Sequence, residues 1–414
     1  MDIAILLLLT SIAGFYMAWN IGANDVANSM GTSVGSRVLT VRQAVFLASM
    51  LTVIGAILVG KHVTETIRKG IIDPTAFAGN PEIFVYGMFS VIISAGVWVT
   101  IATKMRLPVS TTHSIVGAII GFGLISSGLS VVNYSKLLGI TLSWVISPIA
   151  GGVVAFILFN IIKNSVLDSE HPFDSAKKVL PLMVSMVFMV LSFSVLYTGF
   201  HMSLEGIEIL TIVVLVSLFF GLISRALLRY YHKPGKDPYF QVEDLFGYLQ
   251  VLSACCVAFA HGSNDVANAI GPIAAVYHVT EGIANGFTSG ILQQSVQVPI
   301  WMLAFGGVGI AVGISTWGYR VMETIGERIT EITPTRGFVA EFSTASTVLF
   351  CSLLGLPIST SHVVVGSVIG VGFAGGINAL NLNVVKNIII SWLATIPSAA
   401  LLTMVIFEVL IHIL

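Results

Sequence analysis

The chain has 414 residues, of which 56% are hydrophobic and only 9% are charged. Soluble domains carry about a quarter charged residues, so this chain has too few charges to cover a soluble fold of its size. Its net charge of −1 and the lack of a basic cluster exclude a nucleic-acid partner. The composition therefore predicts an integral membrane protein.

Apolar stretches long enough to cross a bilayer, which takes roughly 20 residues, recur along the whole chain. In chain order they lie near residues 3–21, 43–60, 84–103, 137–162, 179–199, 208–228, 245–260, 284–316, 338–354 and 384–414. Two further segments, 108–126 and 357–375, begin at proline and are rich in glycine, as re-entrant or partial helices often are. We expect an all-α integral membrane protein with about 12 membrane segments.

The chain also contains an internal duplication. Gly22–Asn28 returns as Gly262–Asn268, Val63–Ile67 as Val321–Ile325, and Leu107–His113 as Leu356–His362, always in the same order. Duplicated membrane proteins with matching Gly/Pro-interrupted segments are typically transporters whose site lies between the repeats. We expect a first repeat over 1–162, connecting spans and a short cytoplasmic loop over 163–244, and a second repeat over 245–414. Inversion of the repeats is the commoner arrangement, but the sequence leaves it open.

The first duplicated motif carries an acid at membrane depth, where an ionised carboxylate needs partners. Asp25 and Asp265 are each flanked by two amides, which are Asn24 and Asn28 in the first copy and Asn264 and Asn268 in the second. Gly22 and Gly262 just before them favour a helix break that would release carbonyl oxygens. Carboxylate, amide and carbonyl oxygens together suit a hard cation. A hydrogen-bond clasp between helices is the structural alternative.

The second duplicated motif has the character of a helix start. Ser110, Thr111 and Thr112 follow Pro108, and Ser359, Thr360 and Ser361 follow Pro357. Hydroxyls and free N–H groups at a helix N-terminus bind oxyanions, so two such starts could close on one tetrahedral anion. Capping of a short buried helix is the structural alternative. We expect His113 and His362 to pack or form hydrogen bonds rather than bind a ligand.

The two motifs together predict coupled transport. No Lys or Arg lies inside the four motif segments. An oxyanion near Asp25 and Asp265 would be repelled by a few kcal/mol from each acid at an effective dielectric of about 20. A cation bound with the anion removes this repulsion and makes each affinity depend on the other. We expect at least two monovalent cations for each divalent anion.

These motifs closely resemble the duplicated signatures of the inorganic phosphate transporter (Pit) family, and the resemblance covers almost the whole chain. It implies import of inorganic phosphate by symport with sodium, inverted repeats, alternating access, a multi-pass position in the cell membrane and often a homodimer. The phosphate-binding positions are Ser110, Thr111, Thr112, Ser359, Thr360, Ser361, Asn28 and Asn268. The sodium positions are Asn24, Asp25, Asn264, Asp265 and Glu341. Some relatives have glutamate in place of Thr52 and Met88, so the ion ratio does not carry over.

Other functions are less compatible with the sequence. Coupling to protons or to a metal-phosphate complex stays open, although the many amide and hydroxyl groups favour sodium as the driving ion. Sulfate transport also stays open, although phosphate is favoured because a protonated oxyanion can donate a hydrogen bond to Asp25 or Asp265. An intramembrane aspartyl enzyme would need carboxyls that share a proton, whereas amides around Asp25 and Asp265 favour the charged form. A passive channel is also disfavoured, because no segment of the sequence resembles a selectivity filter or a charged pore ring. We expect neither an enzyme nor a resident cofactor, only co-transported sodium.

Overall fold

The computed structural model describes residues 3–413 with gaps. The gaps are 70, 78, 106–108, 199–205, 232–236, 285–297, 320–321, 323–331 and 377–380. The described part contains 13 α-helices. They are α1 (Ile3–Gly35), α2 (Val41–Val59), α3 (Lys61–Lys69), α4 (Pro81–Lys104), α5 (Thr111–Ser127), α6 (Tyr134–Ile162), α7 (Pro172–Thr198), α8 (Gly206–Tyr230), α9 (Pro238–Ala284), α10 (Ile300–Trp317), α11 (Pro334–Leu353), α12 (Thr360–Gly375) and α13 (Leu382–Ile413).

The membrane segments agree with the predicted number. In the described residues, nine helices are long and apolar enough to span a bilayer: α1, α2, α4, α6 to α10 and α13. Helix α11 occupies the predicted span 338–354 but is more polar. Helices α5 and α12, with 17 and 16 residues, are the two short proline-led segments. The prediction of an all-α membrane fold with about 12 segments is confirmed.

The predicted helix break at the first motif is wrong. Helix α1 continues without interruption through Gly22, and α9 continues through Gly262. A Cβ at Gly22 would lie 1.9 Å from the carbonyl oxygen of Ile310, and one at Gly262 would lie 2.0 Å from that of Thr52. These glycines therefore allow close helix crossings, and they do not release carbonyl oxygens for a cation.

Four helices each pack against a helix from the other predicted repeat. Helix α1 packs against α10, and its counterpart α9 packs against α2. Helix α5 packs against α13, and its counterpart α12 packs against α6. Because α1 and α9 also pack directly on each other, the two copies of the first motif lie side by side.

Helices α7 and α8 form a pair within the connecting region 163–244. Their outer faces are apolar and exposed, as at Leu215 and Leu222, which suits contact with lipid. Three predicted features lie outside the described residues, in whole or in part. They are residues 232–236 of the cytoplasmic loop, Pro108, and most of the repeated segment Val321–Ile325. The division into three parts, 1–162, 163–244 and 245–414, stays a prediction.

Substitution of Gly22 by alanine should lower the thermal unfolding temperature of the purified protein, because the new Cβ must push α1 away from α10. Overpacking of this kind costs about 1–3 kcal/mol. Gly139→Ala is the matched control, since a Cβ there meets nothing within 4 Å. Equal unfolding temperatures for Gly22→Ala and the unmodified protein would show that the crossing does not need glycine.

Candidate substrate and cation site

The candidate site lies where α1 and α9 pass the first turns of α5 and α12. Asp25 is 1% exposed and Asp265 is 0% exposed, so neither acid is accessible to solvent in this conformation. The hydroxyl residues at the two helix starts are buried as well. The structure thus brings both acids and both helix starts into one buried polar cluster, called the pocket below.

The first serine of each helix start is a capping residue. The Ser110 side chain accepts a hydrogen bond from the backbone N–H of His113 at 3.1 Å, and Ser359 accepts from His362 at 3.3 Å. This is the capping arrangement considered from the sequence. Each serine cap thus satisfies one of the first N–H groups of its helix, and the other N–H groups of a first turn lack a carbonyl partner four residues earlier and suit an anion.

The second hydroxyl of each helix start binds the acid of its own repeat. Thr111 donates to Asp25 Oδ2 at 2.7 Å, and Thr360 donates to Asp265 Oδ2 at 3.1 Å. These two contacts occupy equivalent places in the two copies. Each carboxylate is thereby fixed beside the start of a helix.

The third hydroxyl connects the two repeats. Asn28 Nδ2 donates to Ser361 Oγ at 2.7 Å, and Asn268 Nδ2 donates to Thr112 Oγ1 at 3.1 Å. The same amide groups also donate to the acid one turn earlier, at 3.2 Å from Asn28 and 3.1 Å from Asn268. The hydrogen-bond clasp considered from the sequence is therefore present, and it closes the pocket across the repeat boundary.

The other two amides are anchored away from the helix starts. Asn24 donates to the Thr103 hydroxyl at 2.8 Å, and Asn264 donates to the Ser352 hydroxyl at 3.2 Å. Within the described residues, the Oδ1 atoms of Asn264 and Asn268 are buried and accept no hydrogen bond. Such oxygens are suitable cation ligands.

The pocket is acidic and contains no compensating cationic side chain in the described part of the chain. Carboxylate oxygens of Asp25 and Asp265 approach within 4.8 Å of each other. Their hydrogen-bond donors are neutral hydroxyl and amide groups, and no described Lys or Arg forms a salt bridge with either acid. Burying two charges in this way is unfavourable without added cations.

The structure places Glu341 in a second cluster. Its carboxylate accepts from Thr32 at 2.5 Å, from Ser33 at 2.7 Å and from Ser253 at 2.7 Å, with the Gln250 amide 3.4 Å away. Ser33 lies eight residues beyond Asp25 on α1, which is about 12 Å along the helix. Glu341 thus belongs to a different polar site from the two aspartates.

Two histidines pack against each other in the first turns of α5 and α12. His113 and His362 contact each other with ring centroids 4.4 Å apart; His113 also packs at a tilt against Trp144, and His362 stacks on Trp392. The Nδ1 atom of His113 donates to the Trp392 carbonyl, and that of His362 donates to the Trp144 carbonyl. Their predicted role in packing and hydrogen bonding is confirmed.

Sequence reasoning missed His261, which lies one helical turn before Asp265. Its Nε2 atom is 3.5 Å from Asp265 Oδ2, and the residue is 1% exposed. The analysis selected residues that recur in both repeats, whereas the position equivalent to His261 is Ile21. The i, i+4 spacing from Asp265 was the signal that could have identified it.

Comparisons with known proteins identify the family of this chain. The model of the phosphate transporter family matches residues 21–403. A protein of Pyrococcus abyssi named as a phosphate permease is 48% identical over 410 residues, which is 99% of each chain. The chloroplastic inorganic phosphate transporter 2-1 of Arabidopsis thaliana is 43% identical over 96% of this chain and 70% of its own length.

A solved structure shows the same fold. The structure of a sodium-dependent phosphate transporter superposes with a TM-score of 0.92 and 43% sequence identity, covering 99% of this chain and all of the other. Members of this family are transporters and not enzymes. The chain, with its duplicated acidic motif and paired helix starts, belongs to the phosphate transporter family.

Proposed function

We propose that this protein imports inorganic phosphate by symport with sodium, through alternating access. The observation that carries the proposal is the pairing of Asp25 and Asp265 in one buried pocket with the starts of α5 and α12. The helix starts attract an anion, whereas the two acids repel it. Only cations bound with the anion reconcile these two features.

The magnitude of the repulsion makes the cations necessary. Two unit charges about 5 Å apart interact by about 3 kcal/mol at an effective dielectric of about 20. Divalent phosphate beside two carboxylates carries two such repulsions for each of its charges. We therefore expect at least two sodium ions for each phosphate.

The ligands divide between the two kinds of ion. Phosphate is bound by the first turns of α5 and α12 and by two amides, from the residues Ser110, Thr111, Thr112, Ser359, Thr360, Ser361, Asn28 and Asn268. Sodium is bound by carboxylate and amide oxygens, from the residues Asn24, Asp25, Asn264, Asp265 and Glu341. Because Glu341 lies in its own cluster, it would hold a sodium ion separate from those at the aspartates.

Alternating access follows from the burial of the site. With both acids no more than 1% exposed, phosphate reaches them only when the helices around the pocket move. The contacts of Asn28 with Ser361 and of Asn268 with Thr112 join the repeats, so they must break or rearrange during that movement. We infer that they form one of the gates.

Two further features complete the proposal. Arg225 and Arg229 at the end of α8 favour a cytoplasmic position for that end, as in a transporter of the cell membrane. We also expect a homodimer, which mass measurement of the detergent-solubilised protein would test. A single-chain mass would contradict the dimer without affecting the transport mechanism.

In proteoliposomes, an inward sodium gradient should drive accumulation of labelled phosphate, whereas potassium with a pH gradient should not. Sodium is favoured over protons because neutral oxygen groups surround both acids. Excess unlabelled sulfate should fail to compete, since it cannot donate a hydrogen bond to Asp25 or Asp265. Asp25→Asn should abolish the uptake, and Asp168→Asn, at an exposed acid, is the matched control.

Three outcomes of that assay would point elsewhere. Uptake driven by the pH gradient alone would indicate proton coupling. Uptake that requires a divalent metal would indicate transport of a metal-phosphate complex. Inhibition by sulfate equal to that by phosphate would indicate a less selective oxyanion carrier.

The equivalent contacts in the two repeats should matter equally. Thr111→Val and Thr360→Val each remove one hydroxyl donor from a carboxylate, a bond worth about 1.5–3 kcal/mol. Each substitution should therefore reduce kcat/KM for phosphate by roughly 10–100-fold. Thr141→Val, at an exposed hydroxyl on α6, is the control. A large effect of one substitution with none from the other would contradict a site shared by the repeats.

A further inference from the structure

The candidate site contains a histidine beside Asp265, and the first repeat has no equivalent beside Asp25. His261 is buried beside Asp265, and neither ring nitrogen has a hydrogen-bond partner in the described part of the chain. A buried imidazole without hydrogen bonds is costly, because its nitrogens have lost water and only Nε2 approaches a polar atom, Asp265 Oδ2 at 3.5 Å. The imidazole of His261 therefore has a nitrogen that can bind a ligand inside the pocket.

Duplication does not explain this residue. The offset of 240 residues between the motif copies places Ile21 at the equivalent position, where it is fully buried. The hydrogen bonds of the two acids, the two amides and the two helix starts are nearly equivalent in the two repeats. His261 adds an imidazole group to the second repeat only.

The geometry fits a metal ion. Ligand atoms of Asp25, His261 and Asp265 all lie within 4.8 Å of one another. A tetrahedral ion with bonds of about 2.1 Å separates its ligands by about 3.4 Å. The distance of 3.5 Å between His261 Nε2 and Asp265 Oδ2 already matches this value, so only Asp25 has to approach.

The ligand types select the ion. Sodium and magnesium prefer oxygen ligands, whereas one imidazole with two carboxylates suits zinc, manganese or cobalt. A divalent ion would also neutralise the two carboxylates by itself. We propose that Asp25, His261 and Asp265 form a binding site for a divalent transition-metal ion, which competes with sodium and thereby blocks transport.

The site is suited to reversible binding. A resident metal site normally fixes its histidine through a partner on the second ring nitrogen. Nδ1 of His261 has no such partner among the residues described. Competition with sodium and the block of transport rest on the proposed function, whereas metal binding itself does not.

Titration of the purified protein with Co²⁺ tests the proposal without transport. We expect one saturable site with visible ligand-field absorption, and an apparent Kd that rises as sodium is added. His261→Gln and His261→Ile should weaken binding by at least about tenfold, because a direct ligand is lost. His412→Gln, at an exposed histidine, should leave it unchanged.

A second measurement uses the unmodified protein, in case the His261 variants fold poorly. Electron spin echo spectroscopy of bound Mn²⁺ should show coupling to an imidazole nitrogen, and excess sodium should remove the signal. If the protein proves not to be sodium-coupled, Co²⁺ absorption and nitrogen coupling are still expected, without the sodium effect.

The proposal fails if Co²⁺ shows no saturable binding or binds the His261 variants as tightly as the unmodified protein. It also fails if bound Mn²⁺ shows no nitrogen coupling. If phosphate uptake is driven by sodium but sodium does not displace the metal, competition at this site is refuted.

Discussion

Asp25 and Asp265 share a buried pocket whose described hydrogen-bond donors are all neutral, so no described side chain balances their charge when both are ionised. The same pocket contains the starts of two helices, which attract an anion through free N–H groups and the helix dipole. In the proposed mechanism, anion and cations stabilise each other's binding, and such a coupling is necessarily reciprocal. A symporter depends on that reciprocity, because neither ion should cross the membrane efficiently without the other.

The exchange of helices between the repeats builds this pocket. Helices α1 and α9 cross their partners at Gly22 and Gly262, where no side chain separates the backbones. The sequence predicted that the two acidic motifs and the two helix starts would meet, because each pair recurs in the same order. The pairing of Thr111 with Asp25 agrees with that prediction, and the short helices after the prolines were also expected.

Other features depended on contacts that sequence does not encode locally. A glycine before a buried acid is compatible with a helix break or with a close crossing, and only the partner helix α10 decides between them. Glu341 was grouped with the aspartates through the family resemblance, but its helix places it beside Thr32 and Ser253 instead. His261 was overlooked because it interrupts the repeat, although a departure from symmetry in a duplicated site is itself informative.

Equilibrium binding of phosphate to the purified protein, measured across a range of sodium concentrations, tests the electrostatic coupling most directly. The affinity should rise steeply with sodium, and the dependence should largely disappear when Asp25 and Asp265 are both replaced by asparagine. Removal of about 3 kcal/mol of uncompensated repulsion corresponds to a change in Kd of roughly 100-fold. Equally tight phosphate binding with and without sodium in the unmodified protein would contradict the coupling.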